Sequence, residues 1–269
     1  MRVVVTRPAG DAPGWMQGLA AAGLTPWLLP LIDVLPVADP RGLLDSWQRV
    51  GGYTALMFVS GNAVVHFYAS KPSLVPVDIE YLAIKNRAWA TGPGTVRALQ
   101  HAGVADHLID APTPDSLQFD TEALWRVVQP QARPGSRVLI VRGAQQATQT
   151  RAAPVEVAGV GRDWFAAQLM QVGVQVDFVV AYQRGVPVLS ELQKVQAQAA
   201  AADGSVWLFS SSEAIANLQQ AVPQQSWGAA RAVATHSRIA DKAKQAGYGV
   251  VCESRPALSS VVASIESMR

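Results

Sequence analysis

The sequence predicts an α/β protein made of two similar parallel-sheet domains, and three observations carry that prediction. Short apolar runs alternate with stretches of helical period. Four blocks of the first half return in the same order in the second. The 269 residues, at about 150 per domain, suit two domains.

Taken in order, the expected strands are Val3–Val5, Leu56–Val59, Ala88–Ala90, Val138–Val141, Phe178–Ala181, Val206–Phe209 and Ala232–Ala234. Most are rich in β-branched or aromatic residues, and each stops at Gly, Ser, Thr, Arg or Pro or near one. Helical spacing shows in Phe165, Leu169 and Val172, and again in Leu258, Val261, Val262 and Ile265. Strands alternating with helices of this length indicate parallel sheets covered on both faces. The repeat pairs Arg2–Gly10 with Arg137–Gln145, Leu28–Val37 with Val179–Val188, Leu56–Phe67 with Val206–Leu218, and Ala88–Val104 with Ala232–Tyr248. An internal duplication explains it. Ala144–Gly159 lacks a counterpart and reads as a surface insertion, because loops absorb added length at small entropic cost.

Composition removes several function classes. Apolar residues make up 49% and charged residues 16%, which excludes disorder and coiled coil. The formal net charge of +2 argues against nucleic acid or an anionic membrane as partner. Arg outnumbers Lys, 17 to 5, which suits carboxylate or phosphate recognition as well as it suits simple codon bias. The lone Cys252 rules out an internal disulfide and a cysteine metal cage, and no apolar stretch is long enough to span a bilayer. A cytoplasmic protein, without metal and without heptads that would suggest assembly beyond a monomer, is expected.

The residues with chemistry sit just past the strands. These are Thr6-Arg7-Pro8, Ser60-Gly61-Asn62, Thr91-Gly92-Pro93-Gly94-Thr95, Arg142-Gly143, Ser210-Ser211-Ser212 and Thr235-His236-Ser237-Arg238. Ligands of open parallel sheets bind outside the carboxyl ends of the strands, where helix N-termini offer unpaired N–H groups to anions. Ser, Thr and Asn are also ordinary helix caps, so each hydroxyl alone is more readily a cap than a ligand. Together, on two facing domains, six such turns would line a cleft suited to a ligand with many carboxylates.

No turn is a nucleotide fingerprint: Gly92–Thr95 lacks both the third glycine of a dinucleotide loop and the Lys-Ser/Thr of a phosphate loop. His66, His101 and His107 read as surface or core residues, while His236 lies at a strand end. Tyr182 ends an apolar strand and precedes Arg184. A phenol, with a reference pKa of about 10, can donate a proton at neutral pH, although an aromatic at such a junction often only packs.

The ordered series VTRP, LPLI (Leu29–Ile32), FVSGNAV (Phe58–Val64), ATGPGT (Ala90–Thr95), LIVRG (Leu139–Gly143), GRDWFAAQL (Gly161–Leu169), AYQR (Ala181–Arg184), FSSSEA (Phe209–Ala214) and ATHSRIA (Ala234–Ala240) resembles the uroporphyrinogen-III synthase family over the whole chain. Each motif is weak alone; order and spacing make the signal specific. The insertion before Gly161, and Ser237 where many relatives carry Pro, depart from the pattern.

The resemblance implies two flavodoxin-like domains that exchange their first βαβ unit. One would hold residues 1–34 and 188–269, the other 38–181, with linker strands 33–37 and 182–187 forming a hinge. It implies conversion of hydroxymethylbilane, which carries eight carboxylates, into uroporphyrinogen III with inversion of ring D and loss of water, without a cofactor. By the same resemblance Tyr182 is the catalytic acid, Ser60, Thr95, Ser212 and Arg238 face substrate, and Thr6, Arg7, Arg142 and Ser210 line the site. The competing expectation is a non-catalytic two-lobed module that binds a polycarboxylate.

Overall fold

The computed structural model describes residues 1–72, 86–113, 116, 118–145 and 160–268, with the backbone alone for 160–163. The chain opens with β1 (Arg2–Val5), α1 (Pro13–Ala21), β2 (Thr25–Leu28) and β3 (Asp33–Pro36). It continues through α2 (Arg41–Gln48), β4 (Ala55–Phe58), α3 (Gly61–Ala69), β5 (Arg87–Ala90), α4 (Pro93–His101), β6 (Ile109–Asp110), α5 (Thr121–Val128) and β7 (Arg137–Gln145). After α6 (Val160–Gln171) and β8 (Gln175–Gly185) come α7 (Glu191–Ala200), β9 (Val206–Phe209) and α8 (Ser212–Ala221). β10 (Arg231–Ala234), α9 (Ser237–Gln245), β11 (Val250–Glu253) and α10 (Leu258–Glu266) complete it.

These elements fall into two units, Met1–Asp33 with Gly185–Arg269, and Val34–Arg184. The first holds a sheet of order β11-β10-β9-β1-β2, the second one of order β3-β8-β7-β4-β5-β6. The pairings β1–β2, β1–β9, β9–β10, β10–β11, β4–β5, β4–β7, β5–β6 and β7–β8 are parallel. If β1 and β2 lead one sheet and β7 and β8 the other, both follow the doubly wound order 2-1-3-4-5.

Alternation along each strand explains why both faces are covered. In the first unit Val4 faces a core with Leu29, Trp207 and Ile215, while Val3 and Val5 face Trp15, Leu19 and Val261. In the second, Leu56 and Phe58 meet Phe67 and Leu99, while Ala55 and Met57 meet Leu124 and Phe165. Burying one such large side chain contributes about 1.5–3 kcal/mol. The βα units end alike: Gly103 and Gly247 take φ of 88° and 92° after α4 and α9. The next residues, Val104 and Tyr248, return their N–H to Leu99 and Ala243 at 3.0 and 3.2 Å. Only glycine adopts that left-handed turn without strain.

Four strands escape the apolar-run reading, among them β3, whose Leu35 and Pro36 are exposed. β2 carries Pro26 and is half-exposed at a sheet edge, β6 has two residues, and β11 is an edge strand with partly exposed Val250–Glu253. β7 also runs further than expected. Arg142 and Gly143, read as a turn, lie within it, because β7 stays paired to β8 through a bulge as far as Gln145. Of the expected insertion, Ala144 and Gln145 therefore belong to β7, and 146–159 lie outside the described residues.

Candidate active site

Tyr182 sits on β8 opposite Gly143 of β7, just past the bulge between Arg142 and Gly143. Its side chain is buried, 5% exposed. The phenol runs over Gly143 so closely that a Cβ there would lie 2.4 Å from Cζ of Tyr182. Glycine at 143 is thus a steric requirement of this tyrosine. At its far end the Tyr182 hydroxyl lies 3.0 Å from Oγ of Ser60.

Ser60 holds two roles at once. In extended conformation (φ −166°, ψ 163°) it caps α3, its Oγ accepting the amide of Ala63 at 3.1 Å. A hydroxyl that accepts from an amide can still donate its own proton. When Ser60 donates to Tyr182, the phenolic proton is left for another acceptor. The positive end of α3 then lies beside the phenolic oxygen and favours negative charge developing there.

The ring of Tyr182 stacks on His66, in the last turn of α3, with centroids 5.7 Å apart and planes at 28°. Burial pushes this half-buried imidazole below its ordinary pKa, so the neutral ring is favoured. From the sequence alone His66 reads as a surface or core residue. Its partner lies 116 positions away in the chain, and no helical period reveals that.

Of the other expected residues of this unit, Thr95 lies beside the same corner, while Arg142 packs on Phe178 of β8. Gly61 brings α3 against α4, since a Cβ there would stand 3.4 Å from the carbonyl oxygen of Gly94. The Ser60 and Thr95 turns are therefore neighbours. Thr95 is buried, 4% exposed, in the first turn of α4 behind Gly92, the helix-capping residue. Arg142 is 9% exposed, with Cζ 4.3 Å from the ring centre of Phe178 on β8.

In the first unit the expected residues cluster at the ends of the adjacent strands β1, β9 and β10. Thr6 is buried and donates its hydroxyl to the carbonyl of Leu208 at 2.7 Å, which ties β1 to β9. Arg7 lies over Trp15, 4.3 Å from the ring centre. Ser210 follows β9, and Ser211 caps α8 by accepting the amide of Glu213 at 3.2 Å. Capping therefore accounts for Ser211 and leaves Ser212, the first residue of α8, without that explanation. His236 caps α9, its Nδ1 accepting the amide of Arg238 at 3.2 Å, so the ring carries no proton at Nδ1 in that state. The Arg238 side chain is exposed.

Among the described residues, no group of three or more His, Cys, Asp or Glu could hold a metal, and no helix is long and apolar enough to cross a membrane. Chemically, the second unit's corner offers a phenolic donor, a hydroxyl relay and a helix N-terminus.

Comparisons with known proteins bear on this arrangement. A mutant uroporphyrinogen III synthase of Thermus thermophilus matches with a TM-score of 0.55 at 16% identity, over 100% of this chain and 98% of that one. The uroporphyrinogen-III synthetase of Helicobacter pylori gives 0.55 and 16%, over 100% of both chains. At that identity they establish the fold. A search of curated proteins found no match. The sequence model of the family described as uroporphyrinogen-III synthase HemD matches residues 15–263, nearly the whole chain. The chain belongs to the uroporphyrinogen-III synthase family.

Proposed function

We propose that this protein closes hydroxymethylbilane to uroporphyrinogen III, inverting ring D with loss of water, as a cyclising lyase of haem biosynthesis. The family match over residues 15–263 carries the reading, and it does not favour a non-catalytic binding module.

In the proposed mechanism Tyr182 protonates the hydroxymethyl oxygen as its C–O bond breaks. Water departs, and the remaining cation is electrophilic at the freed methylene carbon. That carbon is attacked through the substituted position of ring D, giving a spiro intermediate that fragments and re-closes. The macrocycle then loses a proton, which restores the phenol, so the step is balanced overall. A positioned acid contributes typically about 10²–10⁴-fold. Free in water, the same cation closes at the unsubstituted carbon and gives isomer I. Selection is therefore a matter of holding the chain in the right fold. Ser60, Thr95 and Arg142 of one unit and Arg7, Ser210, Ser212 and Arg238 of the other are the residues we assign to the substrate's carboxylates, whereas the Thr6 hydroxyl, already donated to the Leu208 carbonyl, holds its strand end in place. One chain suffices, in the cytoplasm, with no cofactor.

The test is direct. Hydroxymethylbilane is incubated with purified protein, and the products are oxidised and separated by chromatography. Isomer III in large excess is expected; the isomer ratio of a protein-free control would overturn the assignment.

A further inference from the structure

Two groups of α3 meet the same phenol: Ser60 at the helix start lies against its hydroxyl, and His66, less than two turns on, lies against its ring. They cannot do the same job. The hydroxyl oxygen of a tyrosine lies on the axis about which the ring turns. A bond to Ser60 therefore fixes where the oxygen is and leaves the plane of the ring open, and that torsion is intrinsically broad. Conjugation keeps the phenolic O–H in the ring plane, so the plane decides where the proton points. What sets the plane is contact with the faces. Gly143 supplies close backbone and His66 an aromatic surface at a centroid distance and tilt typical of offset stacking.

We propose that His66 is a positioning residue: by stacking on Tyr182 it sets the plane of the phenol, and so the direction in which the O–H is presented to the departing hydroxyl of the bilane. This rests on the reading of Tyr182 as the proton donor. The neutral imidazole acts here as a flat partner, and an uncharged ring of similar shape should replace it.

The test is a double-mutant cycle with kcat and KM for hydroxymethylbilane as readouts. His66→Ala should lower kcat about tenfold with KM unchanged, as expected for a misaimed catalytic group. His66→Phe, which restores a flat face, should return kcat to within about twofold of wild type. His66→Gln keeps size and polarity without a ring and should behave as alanine, which preserves the test if the alanine variant folds poorly. In a Tyr182→Phe background, His66→Ala should cause no further loss. A normal kcat in His66→Ala and His66→Gln, or a full additional loss in the double variant, overturns the positioning role. A wild-type kcat in Tyr182→Phe instead overturns the donor reading itself, so the two failures are distinct.

Discussion

The two units carry two versions of the same corner of one fold, and the corners differ in kind. Val5 pairs with Leu28 and Leu208, as Ile140 pairs with Phe178 and Met57. Counting on from those registers, Ser211 stands where the second unit has Ser60 and Asn217 where it has His66, while the strand end that carries Tyr182 there holds Leu31 and Ile32 here. In the first unit Ile32 is buried, and Asn217, also buried, donates its amide to the carbonyl of Leu31 at 2.7 Å. That corner is sealed by an apolar side chain and a hydrogen bond to the backbone. In the second unit the strand carries a phenol, the cap is its partner, and an imidazole covers its ring. Architecture is shared while chemistry is confined to one copy, as expected when sites are grafted onto folds.

The comparison is broken most severely at the strand. Tyr182→Phe should slow turnover by about 10- to 1000-fold with little change in thermal stability. Ile32→Val at the corresponding strand end of the first unit should cost only about 0.5–1.5 kcal/mol in denaturant unfolding and spare turnover. Gly143→Ala comes next. The added methyl must drive the phenol off its seat, so kcat should fall about tenfold or more.

A sharper contrast lies in the caps. Ser60→Ala and Ser211→Ala should each lose about 1 kcal/mol by denaturant titration, since both side chains hold a helix start. Only Ser60→Ala should also lower kcat, because only Ser60 meets a phenol. Equal kinetics for the two would erase the distinction. Asn217→Ala should reverse the pattern: with the Leu31 carbonyl left unpaired, about 1–3 kcal/mol of stability goes while kcat at a permissive temperature stays near wild type.

The smallest effect expected is on pH. The His66 imidazole holds its proton less readily in the folded chain than in the unfolded one, where the ordinary value is 6.5. Its contribution to stability is therefore fully present above that value and is lost as pH falls below it towards the folded pKa. Urea midpoints measured from about pH 7.5 to about pH 5 should fall less steeply for His66→Phe than for wild type.

The layered fold was legible because buried parallel strands leave continuous apolar runs, as in Val3–Val5 and Val206–Phe209. Edge strands β2 and β11 were not, since half-exposed residues dilute the run. The strand-end serines were visible as a set, yet which of them caps is decided by single backbone angles, and Ser211 rather than Ser212 holds that place. Arg142 looked like a turn residue because Gly143 follows it. Pairing with β8 keeps both in the strand, and the bulge there aligns Gly143 with Tyr182. The stack of His66 on Tyr182 joins residues distant in the chain and leaves no local signature.

The measurement that tests the account most directly is hydroxymethylbilane closure by wild type and Tyr182→Phe in one assay, recording both rate and isomer ratio. The account predicts isomer III from the wild type, and from the variant the same isomer at a rate at least about tenfold lower, since the acid is lost but the grip on the bilane remains. A variant as fast as wild type would contradict it.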